Sequence, residues 1–187
     1  MSASEGLLTP GGIVRKAGRW LTVIGIVFIV LGVLAIVEPA VAGLAVAILV
    51  GWVLIFAGAA HAVDAFGGGG PGRVVWQVVL AALYIIGGWY FLTHPLLGLG
   101  TLTLVLAAIL LAEAVVEIVA YFTMRGEWNS GWRLVNAIVT LLLGGLIWIH
   151  WPSSSVWAIG TLVGVNLLIT GISRLMLGTA ARKLAPA

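Results

Sequence analysis

The stretch GVLAIVEPAVAGLAVAILVG, residues 32–51, decides the fold of this chain. It consists of two apolar segments joined at Glu38-Pro39, with a glycine seven residues before the proline and another twelve residues after it. Proline disfavours helical geometry at the residue before it, and it lacks the N–H that a helix interior needs. We therefore interpret Glu38-Pro39 as the tip of a tight hairpin between two apolar helices.

The same pattern occurs twice more along the chain. The stretches GWYFLTHPLLGLGTLTLVLA, residues 88–107, and GLIWIHWPSSSVWAIGTLVG, residues 145–164, each place a glycine seven residues before a proline. The three prolines, Pro39, Pro95 and Pro152, are 56 and 57 residues apart. Self-similarity at a fixed period indicates an internal repeat, here of one hairpin per unit.

The composition indicates that the helices of these hairpins span a membrane. Of the 187 residues, 62% are hydrophobic and 8% are charged, and the mean hydropathy is +1.22. Soluble domains carry about 25% charged residues, and a helix needs about 20 apolar residues to cross a bilayer. Six such stretches occur, over residues 18–37, 40–63, 74–93, 97–122, 132–150 and 155–177. The sequence predicts an all-α polytopic membrane protein of six helices, arranged as three repeated hairpins in a pseudo-threefold bundle.

The ends of the chain are predicted to lie outside the membrane domain. We expect a disordered arm over residues 1–12, a transmembrane domain over 13–178 with repeats of about 18–64, 73–122 and 132–178, and a tail over 179–187. Arg15, Lys16 and Arg19 before an apolar stretch, followed by Ala40-Val41-Ala42, also resemble a cleaved signal peptide. The stretch is long for that role and recurs as the first half of each hairpin, so we expect a retained span.

The basic residues predict the orientation. All nine lysines and arginines lie near the two ends of the chain or in the two long links, and none lies in the three proline tips. Cytoplasmic loops carry an excess of such residues, so both termini should be cytoplasmic. A net charge of +3 is too small to indicate nucleic-acid binding despite a pI near 9.8.

Small residues recur at equivalent positions in the second helix of each hairpin. They are separated by four and eleven residues from the first, which places them within about 40° on one helix face. Small residues let membrane helices approach closely, so we expect the three second helices to pack on one another, with the first helices outside. The residues are Ala47, Gly51 and Gly58, then Thr103, Ala107 and Ala114, then Gly160, Gly164 and Gly171.

An ionisable residue follows three positions after each small-residue face. These residues are His61, Glu117 and Arg174, and intramembrane ionisable groups are functional candidates. We predict a polar triad toward the cytoplasmic end, with Glu117 and Arg174 as a charge pair and His61 as a titratable third member. The alternative is structural: Arg174 anchors its helix at the interface, and the pair only sets helix register.

Other polar residues are secondary candidates. Glu113 and Asp64, together with Glu117 and His61, could build a divalent metal site, but the Glu-x-x-His signature of helical di-iron proteins is absent. Asn166 is expected to make an interhelical hydrogen bond. We therefore expect no metal and no cofactor.

The hairpin tips carry Glu38, His94 and His150. If the tips converge, these residues form an outer pH-sensing cluster, because histidine charges near pH 5–6. The alternative is that they are ordinary polar residues facing water. Cysteine is absent, and the serines at 153–155 have no carboxylate that could orient His150 for nucleophilic catalysis. We do not expect an enzyme.

These patterns resemble the HdeD family of bacterial inner-membrane proteins over about residues 18–177. The resemblance depends on the three Gly-x6-Pro spacings and on the repeat endings Gly58-Ala-Ala-His61, Ala114-Val-Val-Glu117 and Gly171-Ile-Ser-Arg174. It implies a six-helix inner-membrane protein with a link to acid resistance. It implies no catalytic residues, because the molecular activity of the family is not established.

Two functions remain open. The first is a non-enzymatic protein that supports acid or envelope stress tolerance through assembly in the lipid bilayer, as a homo-oligomer or with another membrane protein. The second is a channel or transporter for protons or a small solute, with the polar triad as its inner gate. An intramembrane enzyme ranks last.

Overall fold

Six long α-helices make up the computed structural model, which describes residues 10–68, 70–123 and 130–184. No strand occurs in these ranges. A short 3₁₀ helix, Ser153–Val156, precedes the last α-helix. The all-α prediction is confirmed. The α-helices are α1 Pro10–Val37, α2 Pro39–Ala65, α3 Pro71–Thr93, α4 Pro95–Thr123, α5 Ser130–Ile149 and α6 Ala158–Leu184.

Each of the six helices is long and apolar enough to cross a membrane. The mean hydropathy of the spans ranges from 1.7 to 2.9, and the shortest span has 19 residues. Large apolar side chains such as Phe56 and Leu142 are exposed at the helix surfaces, as expected of residues that face lipid rather than water. The prediction of a polytopic membrane protein is confirmed.

The proline tips separate the two helices of each hairpin. Only Glu38 lies between α1 and α2, and only His94 lies between α3 and α4. Pro39 and Pro95 are the first residues of their helices, where the missing N–H has no partner to lose. The third tip is longer, because the 3₁₀ helix lies between Pro152 and α6.

The helices extend beyond the predicted membrane domain at both ends. Helix α1 begins at Pro10, inside the predicted arm, and α6 continues to Leu184, six residues past the predicted end. The segment 179–184 contains alanine, arginine, lysine and leucine, which all favour helix. Residues 1–9 of the predicted arm, 185–187 of the tail and 124–129 of a link lie outside the described residues.

The chain divides into two compact units. The first consists of Met1–Ala42 with Gly160–Ala187 and contains α1 and α6. The second consists of Gly43–Ile159 and contains most of α2, together with α3, α4 and α5.

In the first unit, glycines of α1 and α6 meet at three levels. Gly18 faces Gly178, Gly25 faces Gly171, and Gly32 faces Gly164, so the two helices run antiparallel. A Cβ atom built on Gly25 would lie 2.8 Å from the carbonyl oxygen of Gly171, and the reverse distance is also 2.8 Å. No larger residue fits there without moving a backbone. The seven-residue spacing keeps the glycines on one seam of each helix.

The second unit contains two further antiparallel pairs. Helices α2 and α3 meet at Gly51 and Gly88, where a Cβ on Gly88 would lie 2.6 Å from the carbonyl oxygen of Gly51. Helices α4 and α5 pack through alanines, and Ala107, Ala114 and Ala137 each have 0% of their surface exposed.

Four glycines of the small-residue faces have a partner that differs from the expected one. Gly51 and Gly58 lie against α3, and Gly164 and Gly171 lie against α1. The expectation that these faces meet another second helix is therefore wrong for these four glycines. The physical reason is that the first helices carry matching small residues, and two complementary small faces allow a closer approach than one.

The third repeat is shifted by one residue in α5. Gly144 lies against Leu110 and Leu111 of α4, whereas a Cβ on Gly145 would meet nothing within 4 Å. Counting back from Pro152 selects Gly145, but counting back from His150, the equivalent of His94, selects Gly144. The longer third tip therefore changes the register of the buried face.

Candidate functional site

His61 contacts the helix that packs against its own. Its Nδ1 lies 2.7 Å from Oε1 of Gln77 on α3, so the ring N–H donates a hydrogen bond to the amide oxygen. The imidazole also lies 5.3 Å from the ring of Tyr84, measured between centroids. The second helix of the first repeat is thus joined to the first helix of the second repeat by polar and aromatic contacts.

Glu117 makes the equivalent contact between α4 and α5. Its Oε1 accepts a hydrogen bond from Nδ2 of Asn136, 2.5 Å away. The other carboxylate oxygen, Oε2, is buried and has no hydrogen-bond partner among the described residues. Buried polar atoms are normally hydrogen-bonded, so this oxygen is unusual, as is Oγ of Ser155, which also lacks a partner among the described residues of the second unit.

Arg174 contacts α1 within the first unit. Its guanidinium carbon lies 4.6 Å from the centroid of the Phe28 ring, which is cation–π geometry. Phe28 lies eleven residues before its tip proline, and so does Tyr84, the ring against His61. In both contacts, an aromatic residue of a first helix therefore packs against the ionisable residue of a second helix.

The three predicted triad residues thus make equivalent contacts. Each lies 22 residues after its tip proline and engages the first helix packed against its own. His61 and Glu117 belong to the second unit, and Arg174 belongs to the first. The charge pair between Glu117 and Arg174 and the meeting of all three residues remain predictions.

Three partners of the triad, Gln77, Tyr84 and Phe28, were not predicted from the sequence. They lie on first helices, and nothing in their own side-chain chemistry marks them as candidates. The equivalent positions of Tyr84 and Phe28 were a usable signal. It appears only when the first helices are aligned as carefully as the second ones.

The secondary polar residues Glu113, Asp64 and Asn166 are exposed. The main-chain carbonyl of Asp64 accepts the N–H of Gly67, 3.1 Å away, at the end of α2. Within the described ranges, no three histidine, aspartate or glutamate side chains lie close enough to hold a metal ion. The roles predicted for Glu113, Asp64 and Asn166 remain predictions.

The tip residues Glu38, His94 and His150 are exposed as well. His94 stacks on Tyr90 of its own hairpin with a centroid distance of 5.1 Å, and its Nδ1 lies 2.9 Å from the Thr93 hydroxyl. Nδ1 of His150 lies 2.9 Å from the carbonyl oxygen of Leu146. Both rings are therefore held by their own hairpins, and their role as pH sensors remains a prediction.

The third tip forms a hydrogen-bonded cap on the α4–α5 pair. The indole N–H of Trp151 donates to the carbonyl oxygen of Gly100 on α4, 3.1 Å away. The fully buried Ser154 donates to the carbonyl oxygen of Ile147 on α5, 2.8 Å away. Ser153 donates to the main-chain carbonyl of His150 at 2.5 Å, so this serine and the imidazole do not form a nucleophile–base pair.

Comparison with known proteins identifies the class of this chain. The family described as a short repeat of unknown function (DUF308) matches residues 23–93, 79–149 and 139–186. The chain therefore belongs to this family of repeat proteins. The first match contains all of α2 and α3, and the second contains all of α4 and α5.

Individual relatives identify the type of membrane protein more specifically than the family model does. The chain is 25% identical to the protein named HdeD of Escherichia coli strain K12 over 163 residues, which is 85% of each chain. The HdeD proteins of Escherichia coli O157:H7 and Shigella flexneri match with the same identity and coverage. This chain is thus a membrane protein of HdeD type, and the predicted resemblance is confirmed. No solved structure matches the chain.

Proposed function

We propose that this protein is a non-enzymatic protein of the bacterial inner membrane that supports acid or envelope stress tolerance by holding an assembly in the bilayer. The assembly consists of further copies of the chain or of another membrane protein. The observation that carries the proposal is that the three polar side chains contact neighbouring helices. His61, Glu117 and Arg174 each engage a neighbouring helix, which is what residues that position helices do.

The close helix contacts support the same proposal. Along α1 and α6, backbones touch at three levels, and such contact leaves no room for a solute between the two helices. Small residues at this density build a rigid framework rather than a path.

The topology is part of the proposal. Basic residues at the two ends of the chain and in the long links support cytoplasmic termini. A fluorescent protein that folds only in the cytoplasm, fused after residue 187, should be bright. The same fusion made within the Glu38-Pro39 tip should be dark. The reverse pattern would contradict the topology.

Survival after acid challenge tests the function. A strain of the native host that lacks the gene should survive poorly at low pH, and the wild-type chain should restore survival. Gly171→Leu should fail, because it separates α1 from α6, whereas Gly145→Leu should succeed, because its side chain meets open space. Equal survival of the deletion strain and the wild type would reject the stress role.

Glu117 supports a second candidate function, the conduction of protons or a small solute. A buried carboxylate oxygen without a partner inside a membrane span is typical of proton and ion pathways. We expect proteoliposomes with the wild type to show a pH-dependent flux under this hypothesis, and Glu117→Gln to abolish it.

Glu113→Gln is the matched control, because Glu113 lies one helical turn away on α4 and is exposed. Loss of flux in Glu117→Gln alone would favour conduction. A flux no higher than that of empty liposomes, with both variants folded, would leave the assembly function as the better account.

A further inference from the structure

The basic residues of the first unit gather at one end. Six of the nine lysines and arginines of the chain belong to this unit. Because α1 and α6 run antiparallel, the start of α1 lies beside the end of α6. Five of these six residues lie in the parts of the two helices that approach this end, whereas Arg174 contacts Phe28 nearer the middle of the pair. The five are Arg15, Lys16, Arg19, Arg182 and Lys183.

Acidic side chains near this positive charge are absent from the part of the unit that the structure describes. Among its described residues, the one acidic side chain is Glu38, at the opposite end of α1. Lys16, Arg19 and Arg182 are exposed, and none of them forms an ion pair within the described part of the chain. Exposed cations of one sign raise the local concentration of anions.

Arg182 is held in place by α1. A Cβ atom built on Gly18 would lie 2.9 Å from Cγ of Arg182 and 3.0 Å from the carbonyl oxygen of Gly178. The stem of Arg182 therefore crosses α1 at Gly18, the residue directly before Arg19. This glycine contact thus brings Arg182, near the end of α6, beside Gly18 of α1, one residue before Arg19.

The depth of this place matches the level of lipid headgroups. The first membrane span begins at Lys16. Arg19 lies twenty residues before Pro39, which is about 30 Å of helix and equals the thickness of the hydrocarbon core. Trp20, beside Arg19, has 62% of its surface exposed, and tryptophan is enriched at the interface between headgroups and acyl chains.

We propose that this end of the α1–α6 pair binds the headgroup of an anionic phospholipid. Arg19 and Arg182 donate hydrogen bonds to the phosphate, for which the guanidinium fork is well suited. Lys16 adds attraction, and Trp20 packs at the acyl boundary. Basic residues between membrane helices at headgroup level recognise anionic lipids in this way. The proposal does not depend on the proposed function.

Lipid binding to the full-length protein tests the proposal. The protein is purified in detergent and titrated with phosphatidylglycerol or phosphatidylcholine, and the bound lipid is counted by native mass spectrometry. We expect phosphatidylglycerol to bind more tightly. Arg19→Gln and Arg182→Gln should each weaken its binding about five-fold, the effect of one basic residue near an anionic surface.

Arg73→Gln is the matched control, because Arg73 is an exposed arginine of the second unit whose guanidinium donates to the carbonyl oxygen of Gly68. It should leave phosphatidylglycerol binding unchanged. Arg182→Lys keeps the charge and the stem and should retain part of the affinity. It also serves as the test variant if Arg182→Gln does not fold.

Three results would overturn the proposal. The first is equal binding of the two lipids by the wild type. The second is an equal loss of phosphatidylglycerol binding in Arg73→Gln and Arg182→Gln. The third is full displacement of phosphatidylglycerol by inorganic phosphate at a similar concentration, which would assign the site to a dissolved anion.

Discussion

The α1–α6 pair and the α4–α5 pair occupy equivalent places in the repeat but pack differently. In α1–α6, glycine faces glycine, and a Cβ on Gly25 would lie 2.8 Å from a backbone oxygen. In α4–α5, buried alanines fill the seam, and a Cβ on Gly144 would lie 3.1 Å from Cβ of Leu110. The first contact is between backbones, and the second is between side chains.

The repeat therefore determines which helices pair, and the size of the residues in the contact determines how closely the helices approach. The two members of α4–α5 are neighbours in sequence, whereas α1 and α6 are the first and last helices of the chain. The more distant pair has the closer backbone contact. Interhelical van der Waals packing, the main attraction inside a bilayer, therefore holds the two ends of the chain together.

The largest expected effect comes from enlarging a glycine of the α1–α6 seam. Gly171→Leu places a side chain against the carbonyl oxygen of Gly25, which can move only if the helices separate. We expect a loss of about 3 kcal/mol or more of unfolding free energy, at the upper end for overpacking. Unfolding in a mixed-micelle titration measures it, and Gly145→Leu should remain near the wild type.

A second comparison uses two adjacent glycines of α3. Gly88→Ala places Cβ 2.6 Å from the carbonyl oxygen of Gly51, whereas Cβ at Gly87 meets nothing within 4 Å. We expect Gly88→Ala to lose about 1–3 kcal/mol and Gly87→Ala to gain up to about 1 kcal/mol from helix propensity. The same unfolding titration measures both. Equal effects of the two substitutions would contradict the described α2–α3 contact.

Alanine at one glycine of each pair tests the difference between the α4–α5 and α1–α6 contacts. At Gly144 the nearest atoms are Cβ of Leu110, at 3.1 Å, and the flexible end of the Leu111 side chain, at 3.2 Å, so the neighbours need to move by only a few tenths of an ångström. We expect Gly144→Ala to change the stability by less than about 1 kcal/mol and Gly25→Ala to destabilise clearly more. A larger loss of stability in Gly144→Ala than in Gly25→Ala would show that the side-chain contact tolerates an added methyl group less well than the backbone contact does.

The smallest effect concerns the hydrogen bond between Glu117 and Asn136. A double-mutant cycle with Glu117→Leu and Asn136→Leu should give a coupling energy near 0.6 kcal/mol, the average for interhelical hydrogen bonds in membranes. Unfolding free energies of the wild type, both single variants and the double variant supply the cycle. A coupling of zero would mean that the two side chains do not stabilise the pair together.

Local patterns were sufficient to predict the helices and the hairpins. Six spans follow from hydropathy, and the three tips follow from Pro39, Pro95 and Pro152, because each signal is contained in a short stretch of sequence. Helix α6 continues to Leu184, into the segment 179–187 that we expect as a tail, because most residues of 179–184 have a high helix propensity.

The pairing of helices could not be predicted from the small residues of one helix face. Such a face indicates close approach but does not name the partner, and Gly25 and Gly32 were needed to see that the faces match in pairs. The spacing before Pro152 also does not show that Gly144, rather than Gly145, packs on α4, because a one-residue change at the third tip moves the buried face. Gln77 and Phe28 were missed, because contacts between helices depend on this pairing.

Cysteine cross-linking provides a direct test of the close helix pairs, each of which joins two different hairpins. The chain contains no cysteine, so pairs can be introduced without background. Cβ at Gly18 would lie 3.4 Å from Cβ of Ala181, and Cβ at Gly144 would lie 3.1 Å from Cβ of Leu110. Both values are near the 3.5–4.5 Å that a disulfide requires.

We expect Gly18→Cys with Ala181→Cys, and Leu110→Cys with Gly144→Cys, to cross-link rapidly on mild oxidation in membranes. Gly51→Cys with Ala107→Cys, which joins two second helices at equivalent positions, should not, because Gly51 lies against α3 and Ala107 packs with Ile147 of α5. Rapid cross-linking of this third pair, without cross-linking of the first two, would contradict the account.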